Sequence, residues 1–345
     1  MSSHRLVTLD GSAGEGGGQI LRTALTLSLL TGRPFRIVKI RANREKPGLR
    51  PQHLKAVEAS ALLCSGEVVG ASSGSRDLTF RPAPYMPRDL SIDIGTAGST
   101  SLILHTLHLP LALKADKPVR LILTGGTFNP KAPPYPFLES TWRFYMAALG
   151  LPVALAMPSA GFYPRGGGRL EAWIEPAQPS AMSILDRGPL VRVHGVAGGA
   201  NLNTSIAERL GARAEQRLAA LGYEAEITLT SWPSPGQGAA ISLTVEHEAV
   251  TSTFVGLGER GKPSEVVADE AVDELLAYEA SSGAVDPHSA DQLLLPLALA
   301  PGRSEYTVTS VTEHLRTNAA TIGAFLERRI RIEEHDDGSG RVVVE

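Results

Sequence analysis

The chain has 345 residues, a formal charge of −3 and one cysteine, Cys64. That length exceeds an ordinary single domain, so two domains, or one layered domain carrying an insertion, are expected. A lone cysteine excludes an intramolecular disulfide, and the slightly negative charge excludes a globally basic nucleic-acid binder. A nucleic-acid partner would need a local basic patch. There is no charged-then-apolar leader and no bilayer-length apolar run, which points to a cytoplasmic protein.

In chain order, apolar residues recur at helical spacing over 19–30, and residues 36–42 alternate with the period of a half-buried strand. Residues 53–63 again carry helical spacing, with Cys64 at their end as a small buried hydrophobe. A strand over 119–123 and a helix over 137–149 follow. Strand-helix alternation of this kind predicts an α/β layered fold. From about 182 to 272 the texture changes: a strand over 190–196, an Arg- and Glu-rich helix over 204–221, then strands over 225–229 and 240–245. This stretch reads as a smaller α/β module inserted between a core of 1–181 and 273–345.

Four constellations carry chemistry. Gly14, Gly16, Gly17 and Gly18 stand directly before the first helix, flanked by Glu15 and Arg22. Glycines admit a ligand close to the backbone and the helix start offers N–H groups to an anion, or the segment is a glycine turn with solvated charges, since the spacing is that of neither a Walker A loop nor GxGxxG. Arg41, Arg44, Lys46 and Arg50 crowd a Pro- and Gly-broken loop that runs into Gln52 and His53. Such a loop suits phosphate, or is a solvated charge run. Asp291 and Gln292 open an apolar helical run, where they read a base or ribose, or cap the helix. His314 opens another helical run, as a nucleophile or base, or as an ordinary polar residue. Cys–His zinc patterns are absent, and His105 and His108, three apart on a helix, are a weak metal signal.

Together the segments LDGSAGEGGGQILRTALTLS, IRANREKPGLRPQHL, IGTAGSTSLIL, GGTFNPKAPP, GFYPRGGG, HSADQLLLPLALA and EHLRTN resemble the RNA 3′-terminal phosphate cyclase family, in the family's order from residue 9 to 318. The resemblance implies three repeated units, each a four-stranded sheet with two helices, and a smaller α/β domain inserted before the last. It implies that ATP is a substrate, that a divalent cation (Mg or Mn) assists, and that the partner is RNA with a 3′-phosphate end. His314 is then the nucleophile that takes AMP. His105, Pro133, Phe137, His288, Ser289, Ala290, Asp291 and Gln292 fall at nucleotide-contacting positions. Arg22, Arg41, Gln52 and His53 fall at positions that serve the triphosphate or the RNA end, and Glu15 at the metal. Two positions depart from the pattern: His105 stands where glutamine is common and His288 where tyrosine is common. Both introduce a group that can titrate near neutrality, so pH-dependent nucleotide use is expected. A non-catalytic RNA-binding relative of ribosome assembly is the alternative, and the presence of His314 within its motif favours the enzyme.

Overall fold

The computed structural model describes residues 5–14 and 16–345. Among these, the strands form four sheets of four strands each. The first contains β1 (Val7–Asp10), β2 (Phe35–Val38), β3 (Glu67–Val69) and β4 (Leu78–Arg81), with helices α1 (Gln19–Thr31) and α2 (Pro51–Leu62). The second contains β5 (Leu90–Asp93), β6 (Val119–Gly125), β7 (Val153–Ser159) and β8 (Gly168–Ile174). Helix α3 (Thr100–Lys114) joins β5 to β6. Between β6 and β7 run α4 (Tyr135–Phe137), a π turn (Leu138–Trp142) and α5 (Arg143–Ala148) without interruption.

The chain then forms β9 (Ser183–Ile184) and a fourth sheet before returning. That sheet has β10 (Leu190–Ala200), α6 (Ser205–Ala219), β11 (Ala225–Ser231), β12 (Gly238–His247), β13 (Thr251–Leu257) and α7 (Ser264–Glu279). The last segment is α8 (Pro287–Leu299), β14 (Ser304–Val308), α9 (Glu313–Phe325), β15 (Ile330–Glu334) and β16 (Gly340–Val344). β14 to β16 pair with one another and with β9.

Three sheets share one strand order: first, second, fourth, third. In each, the first two strands are parallel and the remaining pairs antiparallel. The fourth differs, with order β11-β10-β12-β13. Packing follows the same division. The three like sheets and their helices share one apolar core that includes Leu25, Phe35, Leu121 and Tyr306. The fourth sheet closes its own core with α6 and α7 around Leu210, Leu243, Phe254 and Tyr278. A small cluster of Phe128, Phe162, Ala200 and Ala240 joins the two, with Trp232 against it.

The α/β layering is as expected, and most elements fall within a few residues of their expected places. Near the anticipated module edges at 182 and 272, β9 is hydrogen-bonded to β14 and α7 continues to Glu279. The strand expected over 36–42 stops at Val38 because Lys39 and Arg41 take φ of 54° and 53°. Left-handed residues cannot continue a strand, so the alternation there belongs half to β2 and half to a loop. Cys64 is buried, and burial pushes its thiol above its ordinary pKa. No helix among the described residues is long and apolar enough to cross a membrane.

Candidate active site

A cleft of about 2760 Å³ opens where the sheets meet. Three helix starts converge on it. Gln19 is the first residue of α1, Asp291 lies in the second turn of α8, and His314 lies in the first turn of α9. The Gln19 side chain joins the other two: its Nε2–H donates to Asp291 Oδ2, and its Oε1 stands 3.2 Å from His314 Nδ1. Only the amide nitrogen can donate to a carboxylate, so the amide oxygen must face the histidine. His314 Nδ1 therefore carries the proton, and the ring's lone pair resides on Nε2.

One helical turn on, Asn318 donates to the Asp291 carbonyl (2.7 Å) and accepts from the Thr23 hydroxyl (2.8 Å). α1, α8 and α9 are thus tied together below the histidine. The loop before α1 must be glycine to close this arrangement. Gly14 has φ of 54°, and a Cβ there would sit 2.1 Å from Thr317 Oγ1. A Cβ at Gly18 would sit 2.3 Å from His53 Nε2 and 2.8 Å from the Arg22 guanidinium.

Burial dominates the electrostatics. It pushes the Asp291 carboxyl up to about 6, with His314 and Arg22 pulling the other way, and it holds His314 below its ordinary value. At neutral pH the pair is a carboxylate and a neutral imidazole. Burial also brings the Arg22 guanidinium down to about 10, still charged at pH 7.

His53 falls to about 3, first through burial and then through Arg22, Arg41 and Arg50, and its Nδ1 accepts from the Arg50 N–H (3.1 Å). Arg41 donates to the carbonyls of Lys46 and Gly48, which folds the basic loop on itself. Gln52 Oε1 accepts from the Ser99 N–H (3.2 Å) and so links that loop to the start of α3. Ten Lys and Arg side chains line the cleft against five Asp and Glu among the described residues. This supplies the local basic patch that the overall charge of −3 conceals.

Part of the lining is aromatic. The His105 ring stacks on Trp142 at 5.0 Å, and His108 meets the same indole edge-on at 4.9 Å. Burial brings both histidines down to about 3, with the Nε2 atoms lacking partners among the described residues. His105 therefore stays neutral throughout the physiological range, which corrects the expectation that it titrates there. His288 Nε2 lies 3.7 Å from Glu274 of α7, which raises its pKa above the ordinary value.

Pro133, Phe137, His288 and Gln292 line this cleft as well. Gln292 donates to the His288 carbonyl (2.6 Å), leaving its buried Oε1 without a partner among the described residues. Ser289 and Ala290 do not line it. Both are buried, and the Ser289 hydroxyl donates to Asp286 Oδ2 (2.7 Å). Asp286, not Asp291 or Gln292, caps α8 by accepting from the N–H groups of His288 and Ser289. Glu15 lies outside the described residues. Among the described residues, no three His, Cys, Asp or Glu side chains converge as a metal site.

Sequence reasoning missed several members. Gln19 looked like the first residue of an amphipathic helix. Asn318 carried a usable signal, since it follows His314 by four and must share its helix face. Nothing in the linear pattern marked Trp142 or Glu274. The fourth sheet and the loop after it also reach the site: Thr253, Leu257 and Lys262 line the cleft, and Ser252 donates to the cap Asp286 (2.9 Å).

Buried polar atoms left without partners along an open basic cleft define the ligand site of an enzyme. Sequence comparison then identifies which kind. The chain belongs to the RNA 3′-terminal phosphate cyclase family, whose model matches residues 13–332. It is 44% identical over 336 residues to the RNA 3′-terminal phosphate cyclase of Ralstonia nicotianae, covering 96% of this chain and 95% of that one. Against the protein so named in Caldivirga maquilingensis the identity is 42% over 332 residues, 94% of each chain. For Koribacter versatilis it is 44% over 333 residues, 96% of this chain and 93% of the relative.

Proposed function

We propose that the protein uses ATP to convert an RNA 3′-phosphate into a 2′,3′-cyclic phosphate through a covalent His314–AMP intermediate. The Gln19 relay carries this reading: it fixes the proton on His314 Nδ1 and so directs the Nε2 lone pair at an incoming phosphorus. In the first step Nε2 bonds to the α-phosphorus of ATP and the bond to pyrophosphate breaks. Next an oxygen of the RNA 3′-phosphate displaces the histidine, giving RNA(3′)pp(5′)A and restoring the imidazole. Finally the 2′-OH attacks the 3′-phosphorus, loses its proton, and AMP leaves. Nucleophile and phosphorus share one ribose, so proximity favours the closure.

Arg22, Arg41, Gln52 and His53 serve the triphosphate and then the RNA end. His105, Pro133, Phe137, His288, Asp291 and Gln292 hold the nucleoside, with Ser289 and Ala290 supporting α8 from beneath. Glu15 would supply a carboxylate to a divalent cation, which would neutralise charge during nucleotidyl transfer. We also read the three sheets of like order as copies of one unit, and the fourth as a domain inserted before the last copy.

The test is the fate of a short RNA carrying a labelled 3′-phosphate. With ATP the label should become resistant to phosphatase while AMP and pyrophosphate accumulate. RNA bound but unchanged, with no AMP formed, would instead fit the non-catalytic alternative.

A further inference from the structure

The cleft, at about 2760 Å³, is several times the roughly 300–1,000 Å³ of an ordinary small-molecule site. Beyond the nucleotide wall it continues between two sets of loops: residues 128–134 and 162–165 of the second sheet, and residues 234–238 and 258–262 of the fourth. These loops form one continuous wall. Phe128 stacks on Phe162 at 4.7 Å and meets Trp232 at 4.9 Å. A Cβ at Gly236 would lie 3.2 Å from Arg165 Cβ. Asn201 braces the same loop by donating to the Ser234 and Gly236 carbonyls (2.8 Å each).

Three cations on this wall are uncommitted. Lys131, Arg165 and Arg260 are exposed and form no hydrogen bond or ion pair with a described residue. Their neighbours are engaged: Lys262 pairs with Glu270, and Arg209 with Ser264 and Glu265. Tyr163, two residues before Arg165, turns an aromatic ring outward with 71% of its surface exposed. Uncommitted cations around an open aromatic face suit a single-stranded nucleic acid, which offers regularly spaced phosphates and a base to stack.

We infer that this wall is a second RNA subsite, which grips the phosphodiesters and a base of the strand just upstream of its 3′ end. The inference rests on the cyclase reading above, because a terminal phosphate delivered to His314 sends the rest of the strand out along the cleft. It makes the inserted sheet part of the substrate site through Arg260.

The test compares wild-type protein with the Lys131→Gln/Arg165→Gln/Arg260→Gln variant and with a control that removes three cations outside the cleft, Arg36→Gln/Arg192→Gln/Arg331→Gln. Binding of a fluorescent ten-nucleotide RNA 3′-phosphate and of a 3′-phosphorylated dinucleotide is followed by anisotropy, with adduct formation from ATP measured in parallel. The cleft variant should lose at least tenfold in affinity for the long RNA, and the slope of log affinity against log salt should shrink by about 2. Dinucleotide binding and adduct formation should match wild type, as should long-RNA binding by the control. Tyr163→Ala should weaken the long RNA by roughly tenfold with an unchanged salt slope. Long-RNA affinity equal to wild type in the triple variant, or an equal loss in the control, would overturn the subsite. Failure of wild-type protein to form an adduct would instead strike the cyclase reading and leave the binding comparison intact.

Discussion

The arginines of α6 and those around the cleft are the same residue type in opposite circumstances. On α6, Arg213 holds Asp269 with two hydrogen bonds (2.8 and 3.0 Å), and Arg217 reaches both Asp269 and Asp273. Their charge is spent within the fourth sheet's own helices. Arg22 meets no carboxylate at ion-pair distance among the described residues, and Arg41 spends its guanidinium on loop carbonyls, leaving its charge uncancelled. Pairing, rather than the count of cations, separates a structural surface from a binding one.

The largest expected contrast follows directly. Arg41→Ala removes an uncancelled charge from the phosphate side of the cleft and should lower turnover roughly 10²-fold. Arg213→Ala removes a surface pair and should stay within about twofold. Similar small losses in both, measured as AMP release with RNA, would return the basic loop to a solvated charge run.

A smaller effect sharpens the comparison by leaving every charge in place. Gly18→Ala drives a Cβ against His53 Nε2 and Arg22. It should destabilise the protein by about 1–3 kcal/mol and slow turnover about tenfold through misplacement. Unaltered melting temperature and turnover would show that the loop gives way freely.

The smallest effect concerns pH. Asp291, pushed up to about 6, protonates as the pH falls through that value and ceases to be a carboxylate acceptor for Gln19, so activity should decline below about pH 6. His105 is neutral down to about 3, and His105→Gln should leave the profile between about pH 5.5 and 7 unchanged. Glu274 raises His288 above its ordinary value, and His288→Gln should change the pH profile of activity by a few-fold. A profile altered by His105→Gln and unaffected by His288→Gln would reverse these assignments. For stability the sign is fixed by depressed values. Buried neutral His53, His105 and His108 contribute fully above about pH 6.5 and progressively less as the pH falls toward 3, so the melting temperature should drop over that interval.

Much of the fold was legible because helices such as α1 and α6 carry amphipathic spacing and many strands are bounded by turn residues. The edge of β2 was not, since positive φ at Lys39 and Arg41 leaves no trace in apolar periodicity. Of the site, His314, the basic loop and Asp291 stood out as polar residues at helix starts or in a charge cluster. Gln19 did not, because its role depends on two helices nearly 300 residues away in sequence meeting its amide. The part played by the fourth sheet was equally hidden. Ser252 and Glu274 are ordinary surface types whose meaning comes only from where β13 and α7 dock.

The central claim, that His314 held by Gln19 is the carrier of AMP, is tested most directly by labelling the protein with ATP. The α-phosphate label should attach to wild-type protein and the γ-phosphate label should not. The bond should be lost in acid and kept in alkali, as a phosphoramidate is. His314→Asn should abolish the label in a folded protein, whereas His108→Asn should retain it. A label that persists in folded His314→Asn protein would contradict the account.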